Sequence, residues 1–151
     1  MEPGDTIPDV MMKDETGDVP LRSLVGGWAV IYFYPKDDTS GCTREALDFT
    51  ALAADFEAAG VQVVGVSKDS VASHGKFTTK HDLGVRLLSD DSGAACEAFG
   101  VWVEKSMYGR KYMGIDRATF LFDARGSLVE QWRKVKVPGH AQAVLRAAKN
   151  R

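Results

Sequence analysis

Cys42 is the residue in this chain best placed to do chemistry. The apolar run Val30-Ile31-Tyr32-Phe33-Tyr34 reads as a buried strand that Pro35 interrupts. The polar loop Lys36-Asp37-Asp38-Thr39-Ser40-Gly41 then delivers Cys42 to the first turn of a helix. A thiol there faces unpaired backbone N–H groups and the positive end of the helix dipole, both of which favour the thiolate. At an ordinary pKa of ~8.5 about 3% of a thiol is ionised at pH 7, and lowering the pKa to ~6 raises that to roughly 90%. Only the thiolate attacks electrophiles, so this junction predicts an activated nucleophile. The alternative for an unpaired cysteine is a small buried hydrophobe. The polar neighbours Gly41 and Thr43 place Cys42 off the helix's apolar face on this reading.

Other residues have two readings each. Thr39 is spaced to cap the helix. Pro35 ends a strand, and Glu45 on the first helical turn complements the dipole. Arg117, just before the apolar stretch Ala118-Thr119-Phe120-Leu121-Phe122, reads as a solvent-facing charge at a strand edge. Cys96 lies in the alanine-rich segment Ala94-Ala95-Cys96-Glu97-Ala98, where a small buried residue is expected. His74, His81 and His140 have no carboxylate or cysteine at metal-ligand spacing, which predicts surface or helix-face positions and no metal site. Gly26-Gly27 is not a phosphate loop, because no Gly-x-x-x-x-Gly-Lys pattern accompanies it.

The elements that must position these residues follow from periodicity. A turn at Asp14-Glu15-Thr16-Gly17-Asp18 predicts an N-terminal β-hairpin, and Leu21 to Leu24 a helical turn. Phe49, Leu52, Ala53 and Phe56 form one apolar face of a helix from about Gly41 to Ala59, stopped by Gly60. Val61 to Val66 is a second buried strand, Ser70 to His81 a helix capped by Asp69 or Ser70, and Val85 to Leu88 a short strand. Ser92 to Phe99 is a short helix, and Tyr108 to Tyr112 a loop or hairpin. Strands Ala118–Asp123 and Leu128–Arg133 pair across Ala124-Arg125-Gly126-Ser127, and Gly139 to Lys149 is the last helix. The order predicts an α/β fold with a mixed sheet, since a terminal hairpin adds antiparallel strands to a parallel start.

With 151 residues the chain is expected to form one domain, 1–151, with a core that needs no disulfide or metal. A net charge of −2 with scattered basic residues argues against nucleic-acid and membrane-surface partners. Arg133-Lys134-Val135-Lys136, the one basic knot, reads as a solvated strand end. No apolar stretch reaches the ~20 residues that span a bilayer. The acidic start Met1-Glu2-Pro3-Gly4-Asp5 is unlike a signal peptide, and two unpaired cysteines suit a reducing compartment, so a cytoplasmic protein is expected.

Pro35, Thr39 and Cys42 match the Pro-x-x-x-Thr-x-x-Cys motif of the peroxiredoxins. The string Tyr-Phe-Tyr-Pro-Lys-Asp-Asp-Thr resembles the bacterioferritin comigratory protein, or peroxiredoxin Q, branch of that family. Leu88-Ser89-Asp90, Phe99-Gly100-Val101-Trp102, Glu104-Lys105-Ser106-Met107-Tyr108-Gly109 and Gly114-Ile115-Asp116-Arg117 extend the resemblance over nearly the whole chain. Ser40 stands where the family usually has proline.

The resemblance implies a thioredoxin-like fold, with a mixed central sheet flanked by helices and the N-terminal β-hairpin as an extension. It implies a cofactor-free peroxidase in which Cys42 attacks hydrogen peroxide or a small organic hydroperoxide and becomes a sulfenic acid. On this resemblance Thr39 helps hold peroxide and thiolate, Pro35 shields the thiolate, Arg117 stabilises it, and Glu45 orients Arg117. Relatives that form an internal disulfide carry a second cysteine five residues after the first or in the next helix. Those places hold Leu47 and Thr78 here. Cys96 is then the one internal candidate for a resolving thiol, and reduction by thioredoxin or a small thiol is the alternative. A monomer or weak homodimer is expected. Rival readings are a non-catalytic redox sensor or holdase, and a thiol–disulfide exchanger. The second of these lacks a Cys-x-x-Cys pair.

Overall fold

The computed structural model describes residues 1–150. Seven strands form one sheet. Its centre is β3 (Trp28–Phe33), flanked in parallel by β4 (Val61–Ser67) and antiparallel by β8 (Ala118–Phe122). Beyond β4 lies β5 (Arg86–Ser89), and beyond β8 lies β9 (Leu128–Trp132). The hairpin of β1 (Met11–Asp14) and β2 (Gly17–Pro20) joins the free edge of β5. The mixed sheet and the N-terminal hairpin agree with the expectation from element order.

Alternation along β3 divides the interior. Ala29, Ile31 and Phe33 pack on one face with Phe99, Phe120 and Phe122, under α4 (Ala94–Ala98) and the N-terminal segment. Val30, Tyr32 and Tyr34 pack on the other with residues of α1 (Ser40–Ala51), α2 (Ala53–Ala58), α3 (Val71–His81) and α5 (His140–Lys149). Both sides are thus sealed around one central strand, whose C-terminal end delivers the Pro35 loop.

One helix differs from expectation, and one hairpin is longer than its turn residues implied. The helix read as running from Gly41 to Ala59 breaks at Leu52, whose φ and ψ of −101° and 6° separate α1 from α2. The break lets Phe49 and Phe56 pack side by side, with ring centroids 5.9 Å apart. The stretch around Tyr108 is the turn of a longer hairpin, β6 (Trp102–Met107) with β7 (Arg110–Ile115). Tyr108 and Gly109 both have positive φ, which makes a two-residue turn whose twist suits the strands. Arg133 is exposed just past the end of β9, in line with its reading as a solvated strand end, and it also donates to the carbonyls of Phe99 and Gly100 at 2.9 and 3.2 Å, beside the C-terminus of α4.

Candidate active site

Cys42 is the third residue of α1, whose N-cap is Thr39 in an extended conformation. The Thr39 carbonyl accepts the Thr43 N–H at 2.8 Å and so begins the helix. The Thr39 hydroxyl makes no capping bond and donates instead to the Lys36 carbonyl at 2.8 Å, closing the loop on itself. Pro35 is exposed at the end of β3 and lines a cavity of about 400 Å³ with Lys36, Trp102, Lys105 and Met113.

Cys42 itself corrects the sequence reading. It is 1% exposed and packs among Val30, Tyr32, Ala46 and Phe49, on the helix's inner side. Its polar neighbours suggested a loop environment, but they occupy other directions of the same turn.

Arg117 is brought to Cys42 by strand pairing. β8 runs antiparallel to β3 with Ala118 opposite Phe33, so the residue before Ala118 lies beside the point where the Pro35 loop departs. Arg117 Nη2 donates to Cys42 Sγ at 3.3 Å, and Nη1 to Glu45 Oε1 at 2.6 Å. Glycine at position 41 permits this approach, because a Cβ there would stand 3.2 Å from Nη2. The side chain of Arg117 is only 16% exposed, so the solvent-facing alternative does not describe it.

Glu45 is buried, and its carboxyl is lifted to about 7 because burial outweighs the attraction of Arg117. Its Oε2 and the hydroxyl of Tyr32 have no hydrogen-bond partner among the described residues. The thiol, the carboxyl and the guanidinium form a water-poor cluster in which one cation faces two acids. A nucleophile that sits against a fixed donor fork is equipped to attack a polar, electron-poor atom and to stabilise the anion that results.

Cys96 lies elsewhere. It is fully buried on α4, in the cluster that contains Ile31 and Phe33, whereas Cys42 belongs to the cluster with Val30 and Tyr32. The sheet separates the two thiols, and both are free. Burial pushes the Cys96 thiol well up, and the Asp90 carboxylate beside it acts in the same direction. Leu47 and Thr78 are partly or largely accessible and offer no thiol.

Of the histidines expected at surfaces or on helix faces, His74 on α3 and His140 at the start of α5 are buried. His74 Nδ1 is 2.7 Å from Asp37 Oδ2, and its Nε2 is 3.1 Å from the Leu88 carbonyl. His140 Nε2 is 2.8 Å from the Thr119 hydroxyl, between Phe49 and Trp132. Sequence spacing missed the carboxylates near His74, since Asp37 and Asp69 approach it only through the fold. The three residues each bring a ligand-type atom within 4.8 Å of the others. Those atoms are already engaged, Asp37 by Tyr34, Ser73 and His74, and Asp69 by Ser67 and the Asp37 N–H. A hydrogen-bonded network accounts for the cluster.

Residues 3–131 match the AhpC/TSA family. Peroxiredoxin Bcp of Xanthomonas campestris pv. campestris is 54% identical over 129 residues, 85% of this chain and 81% of that one. Peroxiredoxin Bcp of Bacillus subtilis is 45% identical over 151 residues, 99% and 96% of the two chains. The solved bacterioferritin comigratory protein of Xanthomonas campestris, studied for its alkyl peroxide reduction activity, has a TM-score of 0.89 at 47% identity, covering 97% of this chain and 98% of that one. A serine-for-cysteine mutant of Xylella fastidiosa PrxQ has a TM-score of 0.93 at 41% identity, covering 99% and 96%. The likeness spans the mixed sheet, its helices and the N-terminal hairpin, a thioredoxin-like arrangement. By sequence and by fold alike, the chain belongs to the AhpC/TSA family, in its peroxiredoxin Bcp or PrxQ branch.

Proposed function

We propose that this peroxiredoxin reduces hydrogen peroxide and small organic hydroperoxides with Cys42 as its nucleophile and Arg117 as its principal electrostatic partner. The observation that carries the assignment is the 3.3 Å approach of Arg117 Nη2 to Cys42 Sγ at the start of α1. The Cys42 thiolate attacks the terminal peroxide oxygen. An S–O bond forms as the O–O bond breaks, a proton passes to the departing oxygen, and water or an alcohol leaves. Cys42 is then a sulfenic acid. Negative charge that grows on the peroxide oxygens is met by the Arg117 fork and by the N–H groups of the first helical turn, which need no reorganisation. Thr39 and Pro35 wall the approach, and Glu45 holds the far side of Arg117.

The cycle closes with an outside thiol, either thioredoxin or a small molecule. That thiol displaces water from the sulfenic acid to give a mixed disulfide, and a second thiol releases Cys42. The placement of Cys96 across the sheet supports this route, because a disulfide needs Cα atoms within ~7 Å. The reducing cytoplasm is the compartment that suits such a cycle, and a monomer or weak homodimer suffices for it.

Intact mass after one equivalent of peroxide tests the proposal. A gain of one oxygen, absent in Cys42→Ser, is expected. Loss of two hydrogens would put Cys96 in the cycle, and no change at all would remove Cys42 from the role.

A further inference from the structure

Asp37 sits in the middle of the loop that carries Pro35 and Thr39, and it is held from four directions. Its Oδ1 accepts from the Tyr34 hydroxyl at 2.5 Å. Its Oδ2 accepts from His74 Nδ1 at 2.7 Å and from the Ser73 hydroxyl at 2.8 Å. Its own N–H donates to Asp69 Oδ2 at 2.8 Å. The second ring nitrogen of His74 faces the Leu88 carbonyl at 3.1 Å, so the ring is fixed at both of its nitrogens. The side chains of His74 and Asp37 are 6% and 4% exposed.

A buried pair of this kind adds little stability over apolar packing, because both groups must leave water. Its location suggests what else it does. The next residue, Asp38, has a φ of 59°, a conformation that non-glycine residues rarely adopt. Its carboxylate is gripped by Lys80 at 2.6 Å and by His81 at 2.8 Å. His74 and His81 lie two turns apart on α3. Two consecutive aspartates of the loop are therefore latched to one face of one helix, and the strained backbone is held between the two anchors.

We propose that Asp37 and His74 are positioning residues for the peroxide step: their latch fixes the loop so that Thr39 and the first N–H groups of α1 face Cys42 and the incoming peroxide. Asp37 precedes Thr39 by two residues and Cys42 by five, so a shift at the latch is transmitted directly to the helix start. A displacement of about 1 Å in a reacting constellation can cost ~100-fold in rate. The inference rests on Cys42 being the peroxide-reducing thiol.

The two half-reactions separate this role from simple loss of structure. Asp37→Asn, His74→Phe and the double variant are compared with wild type by stopped-flow oxidation of Cys42, and by reduction of the pre-formed sulfenic acid with dithiothreitol. The expected result is a slowing of oxidation by about 10–100-fold in each single variant. The double variant should be no slower than the worse single, and reduction should proceed undiminished. Tyr34→Phe removes one donor to Asp37 while sparing its contact with His74. It should give a smaller loss in the same step, and it serves as the test if His74→Phe does not fold. Oxidation at the wild-type rate in Asp37→Asn or His74→Phe overturns the latch, as do losses that multiply in the double variant or fall equally on both half-reactions. Should wild type itself take up no oxygen at Cys42, the catalytic reading fails first, and that outcome is distinguished by the wild-type mass alone.

Discussion

Arg117 divides its guanidinium between Cys42 and Glu45, with Nη2 at 3.3 Å from the sulfur and Nη1 at 2.6 Å from the carboxyl. The two contacts cross 75 and 72 residues of sequence and depend on the register of β3 with β8. The planar fork is what allows both at once, since its N–H directions are fixed relative to each other. A lysine ammonium at the same place could meet one partner well, but not both.

Arg117→Lys should therefore slow Cys42 oxidation although the charge is kept. Losing one donor to a developing anion typically costs about 2.7–4 kcal/mol, or ~100–1000-fold. Stopped-flow measurement of peroxide-driven Cys42 oxidation reads this directly. A wild-type rate would mean that the contact to Sγ has no part in the reaction.

Cys96→Ala should keep most of its peroxidase activity with an outside thiol, because the sheet stands between Cys96 and Cys42. It should still stop at sulfenic acid when no reductant is present. Cys96 is fully buried among apolar neighbours, so the truncation should cost about 1–2 kcal/mol in urea denaturation. If wild type lost two hydrogens on oxidation while Cys96→Ala gained an oxygen, Cys96 would be the resolving thiol and α4 would have to leave the core in each turnover.

Much of this architecture was legible from local pattern. The β-branched and aromatic run of β3, the punctuation by Pro35 and Gly60, and the hairpin turn at Gly126 are short-range signals, and the elements they imply are present. What escaped was decided by contacts far apart in sequence. The burial of Cys42 depends on which side of α1 meets Val30 and Tyr32 of the sheet, and the polar residues flanking it in sequence hid that side. The pairing of Asp37 with His74 spans 37 residues, and nothing in the spacing of either marks the other. The break at Leu52 was likewise invisible, because an apolar helical period continues straight through it.

Gly65 offers a test of how tightly the site's floor is built. It lies opposite Tyr32 in the parallel β3–β4 pair, and the Tyr32 ring covers it. A Cβ there would stand 2.7 Å from Tyr32 Cζ and 2.9 Å from Leu87 Cδ2. Tyr32 is fully buried and stacks on Phe49 of α1 with centroids 4.6 Å apart, so it has nowhere to retreat. Gly65→Ala should lose about 1–3 kcal/mol of stability through overpacking. It should also slow Cys42 oxidation, since the displaced ring presses on the helix that carries the thiol. Stability within ~0.5 kcal/mol of wild type would show that the ring yields freely.

His140 should give the protein an acid-side stability loss with a calculable sign. Burial and, secondarily, the nearby Arg117 charge lower its pKa from 6.5 to about 4, so the folded state keeps it neutral where the unfolded chain takes up a proton. Between pH 6.5 and 4 the unfolded state binds more protons, and unfolding free energy must fall as pH falls through that window. The shift corresponds to roughly 3 kcal/mol at its full extent. Glu45 works in the opposite sense. Its folded-state value of about 7 lies above the ordinary 4.5, so its contribution is fully present below pH 4.5 and is lost as pH rises to 7. The two effects oppose each other across pH 4.5 to 6.5, and a wild-type profile alone would look flatter than either. Subtraction separates them. Urea denaturation of wild type and His140→Phe from pH 7 to 4 should give a stability difference that moves by about 3 kcal/mol in favour of the variant as the pH falls. Loss of the Thr119 hydrogen bond adds a constant offset that does not change with pH. A difference that stays level across the window would mean that His140 takes up its proton as readily in the folded protein as in the unfolded chain.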